Sequence, residues 1–334
     1  MAFNSYVLSD AESQRIFDEE IVPNELGPAI QHHHHRHQDG SDGGRQPLAV
    51  LIVGQTGAGK TRVAPILKNA MAAARAGPPP AHFIADTYKA YHPAYASIAA
   101  SDRPERASPA TGTDARRWLT MACARAVEVR ADALVESACR HPDDFRGLAE
   151  AFHAGGYRVR VAVLAVPGAL SRLGILARFH QDLPEARSGR LPLRLTPRGV
   201  HDESYAGLRG AVEFVDGSEA AEAVAVVRRG NLVAYRADRR RGEREPEGGW
   251  GGAAAALEAE RRRPLPEGEL AAAVKDLEAL EKLGVPSVAA QIEEIQGLIE
   301  PLMRDVADPE GAGAGAFPEL VPFDAAEFVG GGLV

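Results

Sequence analysis

The chain has 334 residues, 45% hydrophobic and 25% charged, with a formal net charge of −8. That composition predicts a packed core in one large domain with appendages or in two domains, and it excludes general binding to nucleic-acid backbones, which calls for cationic surface. Only Cys123 and Cys139 are present, too few for a disulfide framework or a structural zinc site. The first 20 residues lack a basic stretch leading into an apolar core, and no apolar run reaches the length of a membrane span. The expectation is a soluble cytoplasmic protein with no membrane partner.

Residues 1–31 read as an N-terminal helical segment. Ser9 followed three positions later by Glu12 makes a capping box, and Ile16 and Ile21 mark one apolar face. Residues 32–47, "HHHHRHQDGSDGGRQP", read as an exposed His/Gly-rich linker; five histidines without Cys or carboxylate spacing point to a solvated loop, not a metal site. Over 48–238 short apolar runs alternate with helical stretches. "LAVLIV" is a strand covered on both faces, and further strands are expected at 82–85, 133–136, 158–166, 211–216 and 232–236. That alternation predicts an α/β fold with a mainly parallel sheet flanked by helices. Residues 239–264 read as a charged linker. In 265–308, Leu270, Val274, Leu277 and Glu281 share one helical spacing, while Val288, Ile292, Ile295, Ile299 and Leu302 keep a 4-3-4-3 rhythm. Gly284 and Pro286 break the chain between them, which predicts an αα-hairpin. Its apolar seam wants a partner surface that the sequence does not name. Residues 309–334 read as a flexible tail.

Directly after "LAVLIV" stands "GQTGAGKT": Gly54, Gln55, Thr56, Gly57, Ala58, Gly59, Lys60, Thr61. It satisfies G-x-x-x-x-G-K-[ST] at every position, between a strand and a helix. The glycines let successive backbone N–H groups converge on phosphate oxygens, and the helix N-terminus adds its positive dipole end. Lys60 is placed to neutralise the β- and γ-phosphates, and the Thr61 hydroxyl to hold Mg²⁺. A nucleoside triphosphate site follows. No N-K-x-D guanine signature is present. A small-molecule kinase needs a base near the γ-phosphate and arginines over the transferring group. Asp86, at the end of the second strand and expected beside the first, meets the first need if it is not merely a helix N-cap.

"GQTGAGKT" followed by "DTYKAYHPAY" resembles the zeta toxins, P-loop kinases of UDP-N-acetylglucosamine. The resemblance continues through "ADALVESACR", "VLAVPGALSRLGILARFH", "RLTPRGVHDESY" and "VVRRGNLVAY", in order over about residues 48–236. It implies ATP and Mg²⁺ as cofactors, Asp86 as the base that activates the sugar 3′-hydroxyl, and Glu136 as a substrate ligand. Arg178 and Arg194 become the phosphate clamps, with Arg187 or Arg190 as stand-ins for Arg194. The family has Gly-Thr after the strand-end glutamate where this chain has Ser137 and Ala138. A nucleotide sugar as substrate and a separate helical antitoxin as partner are also implied. Beside this reading stand transfer to another small hydroxyl compound and a nucleotide-dependent interaction module.

Overall fold

The computed structural model describes residues 6–27, 45–75, 79–103, 106–187, 195–239, 252–303, 317 and 319–330. The polyhistidine stretch and Arg194 lie outside them.

The centre of the molecule is β1 (Leu48–Val53), whose six residues are all buried. Alternation along a strand sends side chains to opposite faces. Ala49, Leu51 and Val53 accordingly join one apolar cluster, and Leu48, Val50 and Ile52 the other. β1 pairs in parallel with β3 (Ala133–Ser137) and β4 (Arg158–Leu164). β2 (Ala81–Ile84) flanks β3, and β5 (Ala223–Arg228) flanks β4, both parallel. β6 (Leu232–Asp238) and β7 (Val321–Pro322) close the far edge in antiparallel, for the order β2-β3-β1-β4-β5-β6-β7. The sheet is mainly parallel, as expected. The second strand, however, does not lie beside the first, because β3 is inserted between them.

Helices cover both faces. α1 (Asp10–Ile16) continues into a π-helical segment, Phe17–Leu26. Ser9 caps it by accepting from the Glu12 N–H, while the Glu12 carboxylate turns to Arg15. Ile16 and Ile21 are buried against α3 (Ala107–Glu128), where the Trp118 indole donates to the Ser13 carbonyl at 2.9 Å. α4 (Pro142–Ala154) and α6 (Arg198–Gly217) complete that layer. The opposite layer begins with α2 (Lys60–Arg75) and α5 (Gly168–Arg187).

Residues 211–216, expected as a strand, are part of α6. Leu208, Ala211, Val212 and Val215 are buried at helical spacing, and a short apolar run does not separate helix from strand by itself. The strand that belongs there is β5.

Beyond β6 the chain is more ordered than its composition suggests. Within the expected charged linker, α7 (Ala253–Arg262) buries Leu257, and its first amides donate to the Asp216 carboxylate. The αα-hairpin is present as α8 (Glu267–Glu281) and α9 (Pro286–Met303). Val288, Ile292, Ile295 and Ile299 are all buried, and α5 is the surface that their seam covers. On α8 the buried face is Ala273, Leu277 and Leu280, and Val274 is exposed. The stripe is thus rotated from the expected one. Within the expected tail, α10 (Ala325–Gly330) packs on α2 with Phe328 fully buried.

Candidate phosphate cradle and transfer cleft

The parallel strands all end on one edge of the sheet, and the loop Gly54–Gly59 follows β1 there. Its first amide donates to the Ser137 carbonyl at 3.1 Å. Gly57 and Gly59 have φ of +82° and +98°, the left-handed region that glycine alone enters without strain. At Gly57 space forbids a side chain as well, since a Cβ would meet the Ser171 carbonyl oxygen at 2.1 Å. Gly57→Ala is therefore expected to lower stability by about 1–3 kcal/mol and to weaken nucleotide binding at least tenfold, in chemical denaturation and calorimetry respectively.

The loop is held from below by buried polar contacts. The Gln55 amide nitrogen donates to the Val166 carbonyl at 2.6 Å, and the Thr56 N–H donates to Ser204 Oγ at 3.3 Å. Arg229, next after β5, donates to the Gly57 and Leu170 carbonyls at 3.1 and 2.9 Å. Lys60 opens α2 and reaches back over the loop to the Gly54 carbonyl at 2.6 Å. Burial holds its ammonium below the ordinary lysine range, opposed by the carboxylates of Glu136 and Asp86. A half-buried cation beside a ring of backbone donors fits a bound polyphosphate, whose charge would offset that desolvation.

One cleft of about 1850 Å³ is lined by Gly57–Thr61, Asp86, Glu136 and Arg178. Glu136 is the last but one residue of β3, buried, with its carboxylate 3.0 Å from His82 Nε2. Asp86 occupies the first turn of a short helix, Ala85–Tyr88, and is not its cap: that position is Ile84, which offers no side-chain bond. Asp86 is largely exposed to the cleft and pairs with Lys89 at 2.5 Å, and Lys89 also donates to Ser108. Arg178 is exposed on α5. The Cys139 thiol, pushed up to about 11 by burial, is inert as a nucleophile at neutral pH. Among the described residues, no cluster of three or more His, Cys, Asp or Glu could hold a metal. The exposed Thr61 hydroxyl beside the cradle fits a Mg²⁺ ion completed by phosphate oxygens.

A network not recognised from the sequence joins the cradle to α5 and α6. Ser171 Oγ lies 2.8 Å from His201 Nε2 and 3.3 Å from the Gln55 amide, and His201 Nδ1 lies 2.9 Å from Asp202 Oδ1. Tyr205 stacks on the imidazole, and Arg172 binds Asp202. Ser171 and His201 stand within the motifs quoted above, but only the crossing of α5 and α6 brings them together. Burial holds His201 below the ordinary histidine range, while Asp202 pulls the other way. The folded chain thus takes up this proton less readily than the unfolded one. Its contribution to stability is full above about pH 6.5 and is lost as pH falls through the lower folded value. Acidification over that window is expected to lower the thermal midpoint, and His201→Gln to flatten the dependence, in melts recorded at a series of pH values.

The zeta toxin family model matches residues 32–240, more than half of the chain. A solved structure from the PezAT chromosomal toxin–antitoxin system of Streptococcus pneumoniae superposes with a TM-score of 0.59 at 18% identity. That likeness covers 84% of this chain and all of the other. The AvrRxo1-ORF1:ORF2 complex with ATP aligns at 13% identity and a TM-score of 0.49, covering 88% of this chain and 90% of that one. No curated protein matches in sequence.

Proposed function

The chain belongs to the zeta toxin family, and from that premise we propose that its cleft transfers the γ-phosphoryl group of ATP to the 3′-hydroxyl of the sugar in UDP-N-acetylglucosamine. The observation that carries this reading is the convergence of cradle, strand-end carboxylates and Arg178 on one cleft. Transfer of a phosphoryl group asks chiefly for positioning and charge neutralisation. Lys60 and the loop amides hold the β- and γ-phosphates, and Thr61 would hold a Mg²⁺ ion, which would supply further neutralisation of the phosphate charge. Asp86 takes the proton of the acceptor hydroxyl. Glu136, held by His82, binds the sugar nucleotide. Arg178 clamps the transferring group through its planar fork of donors. Arg194 is the second clamp in this proposal, carried by the "RLTPRGVHD" motif alone. The implied partner, a separate helical antitoxin, is supported by the toxin–antitoxin system to which the pneumococcal structure belongs.

The test is a screen of nucleotide sugars with purified protein, ATP and Mg²⁺, read by mass. Gain of one phosphoryl group by UDP-N-acetylglucosamine is expected. Turnover of another hydroxyl compound in its place moves the proposal to that acceptor, and ATP binding without any phosphorylated product overturns the kinase reading.

A further inference from the structure

Strand order gives the cleft two ends. β3 and β2 place Glu136 and Asp86 on one side of the P-loop, whereas β4, β5 and the β5–β6 turn lie on the other. A triphosphate seated on Gly57–Thr61 serves transfer only with its γ end toward Asp86. Its nucleoside must then extend toward β5. That end of the cleft is walled by α8, which lies beyond residues 32–240: Ala272, Lys275 and Asp276 line the cleft there with Asn231 and Leu232.

The wall is built into the fold. Arg228, fully buried at the end of β5, donates to the Glu260 carboxylate at 3.0 Å and to the Glu269 carboxylate, on α8, at 2.9 Å. The next residue, Arg229, binds the cradle at the Gly57 carbonyl and lies within electrostatic range of Asp276. Hairpin, turn and P-loop are therefore one connected unit. A phosphate cradle is indifferent to what the phosphates are attached to, so any preference for a nucleoside must come from surface outside it.

We propose that α8 forms the nucleoside-binding wall of this cleft, with the exposed Ala272 methyl against the base and the Asp276 carboxylate accepting from the nucleoside's hydroxyl or amino donors. The proposal rests on the ATP reading of the cleft given above. The C-terminal hairpin becomes part of the substrate site and not only a cover for α5.

Two probes separate the ends of the cleft: ATP, and inorganic tripolyphosphate, which lacks a nucleoside. Calorimetric affinities with Mg²⁺ are compared for the full chain, Ala272→Gln and Asp276→Asn, with thermal midpoints to show that each variant is folded. Ala272 is exposed and Gln is a good helix former, so that variant is expected to fold. The expected result is a loss of about tenfold for ATP in both variants, with tripolyphosphate unchanged. A loss in one variant alone retains the wall and assigns the contact to that residue. ATP affinity unchanged in both, or a loss shared equally by tripolyphosphate, overturns the proposal while leaving the cradle intact. Failure of the full chain to bind either probe removes the ATP reading and this inference with it.

Discussion

Asp86→Asn is expected to lower phosphoryl transfer on the order of 10²-fold or more while ATP affinity stays within a few fold, the scale of a positioned acid–base group. Asn keeps the size and most of the hydrogen bonding of the side chain but does not accept the proton. A helix-cap role would make the exchange nearly silent, and the geometry has removed that role, since Ile84 holds the cap position. The substitution also cuts the ion pair to Lys89. Lys89→Gln cuts the same pair and leaves the carboxylate, so it isolates the base: its transfer rate should fall much less than that of Asp86→Asn. Because the base acts late in a loose transition state, part of the loss reflects a misplaced acceptor. Equal rates for Asp86→Asn and the unaltered chain, measured with saturating acceptor, would remove Asp86 as the base.

Lys60→Ala is expected to abolish measurable transfer and to weaken ATP binding on the order of 10²–10³-fold, the cost of deleting one partner from a desolvated charge pair. The fold should tolerate it. Burial already disfavours the Lys60 ammonium, so exchanging it for a methyl group lifts a desolvation cost in the nucleotide-free protein. A melt at or above the midpoint of the unaltered chain, combined with lost affinity, is the expected pair of results. Undiminished transfer by Lys60→Ala would sink the kinase reading as a whole.

What the residues alone disclosed follows from how local each requirement is. The cradle was legible because each fixed position in "GQTGAGKT" answers a backbone demand met within eight residues. The positions of Asp86 and Glu136 were legible because each follows or ends an apolar run, which puts both at the C-terminal edge of a parallel sheet. The neighbour of β1 was not, because chain order does not encode the insertion of β3 between β1 and β2. Nor was the Ser171–His201 contact, which joins residues thirty positions apart on two helices. Residues 211–216 and 223–228 are both short apolar runs, and only the buried set Leu208, Ala211, Val212 and Val215 shows which is helical. On α8, an alanine, Ala273, carries part of the buried face, and so small a residue leaves a weak periodic signal beside the exposed Val274.

The packing of α10 on α2 has a consequence for synthesis. The helix that begins at Lys60 leaves the ribosome early, yet one of its faces is covered by Phe328 and its neighbours, which emerge late. Arg160, in β4, waits for the same segment, since its guanidinium donates to the Phe328 carbonyl. At about 5–20 residues per second, the interval between the two ends is roughly 15–50 s. Throughout that time a nascent chain carries a complete phosphate-binding motif on an unfinished helix. In the kinase reading, a chain that already contains Asp86, Glu136 and Arg178 thus still lacks part of the packing beneath its cradle until residues 325–330 dock on α2.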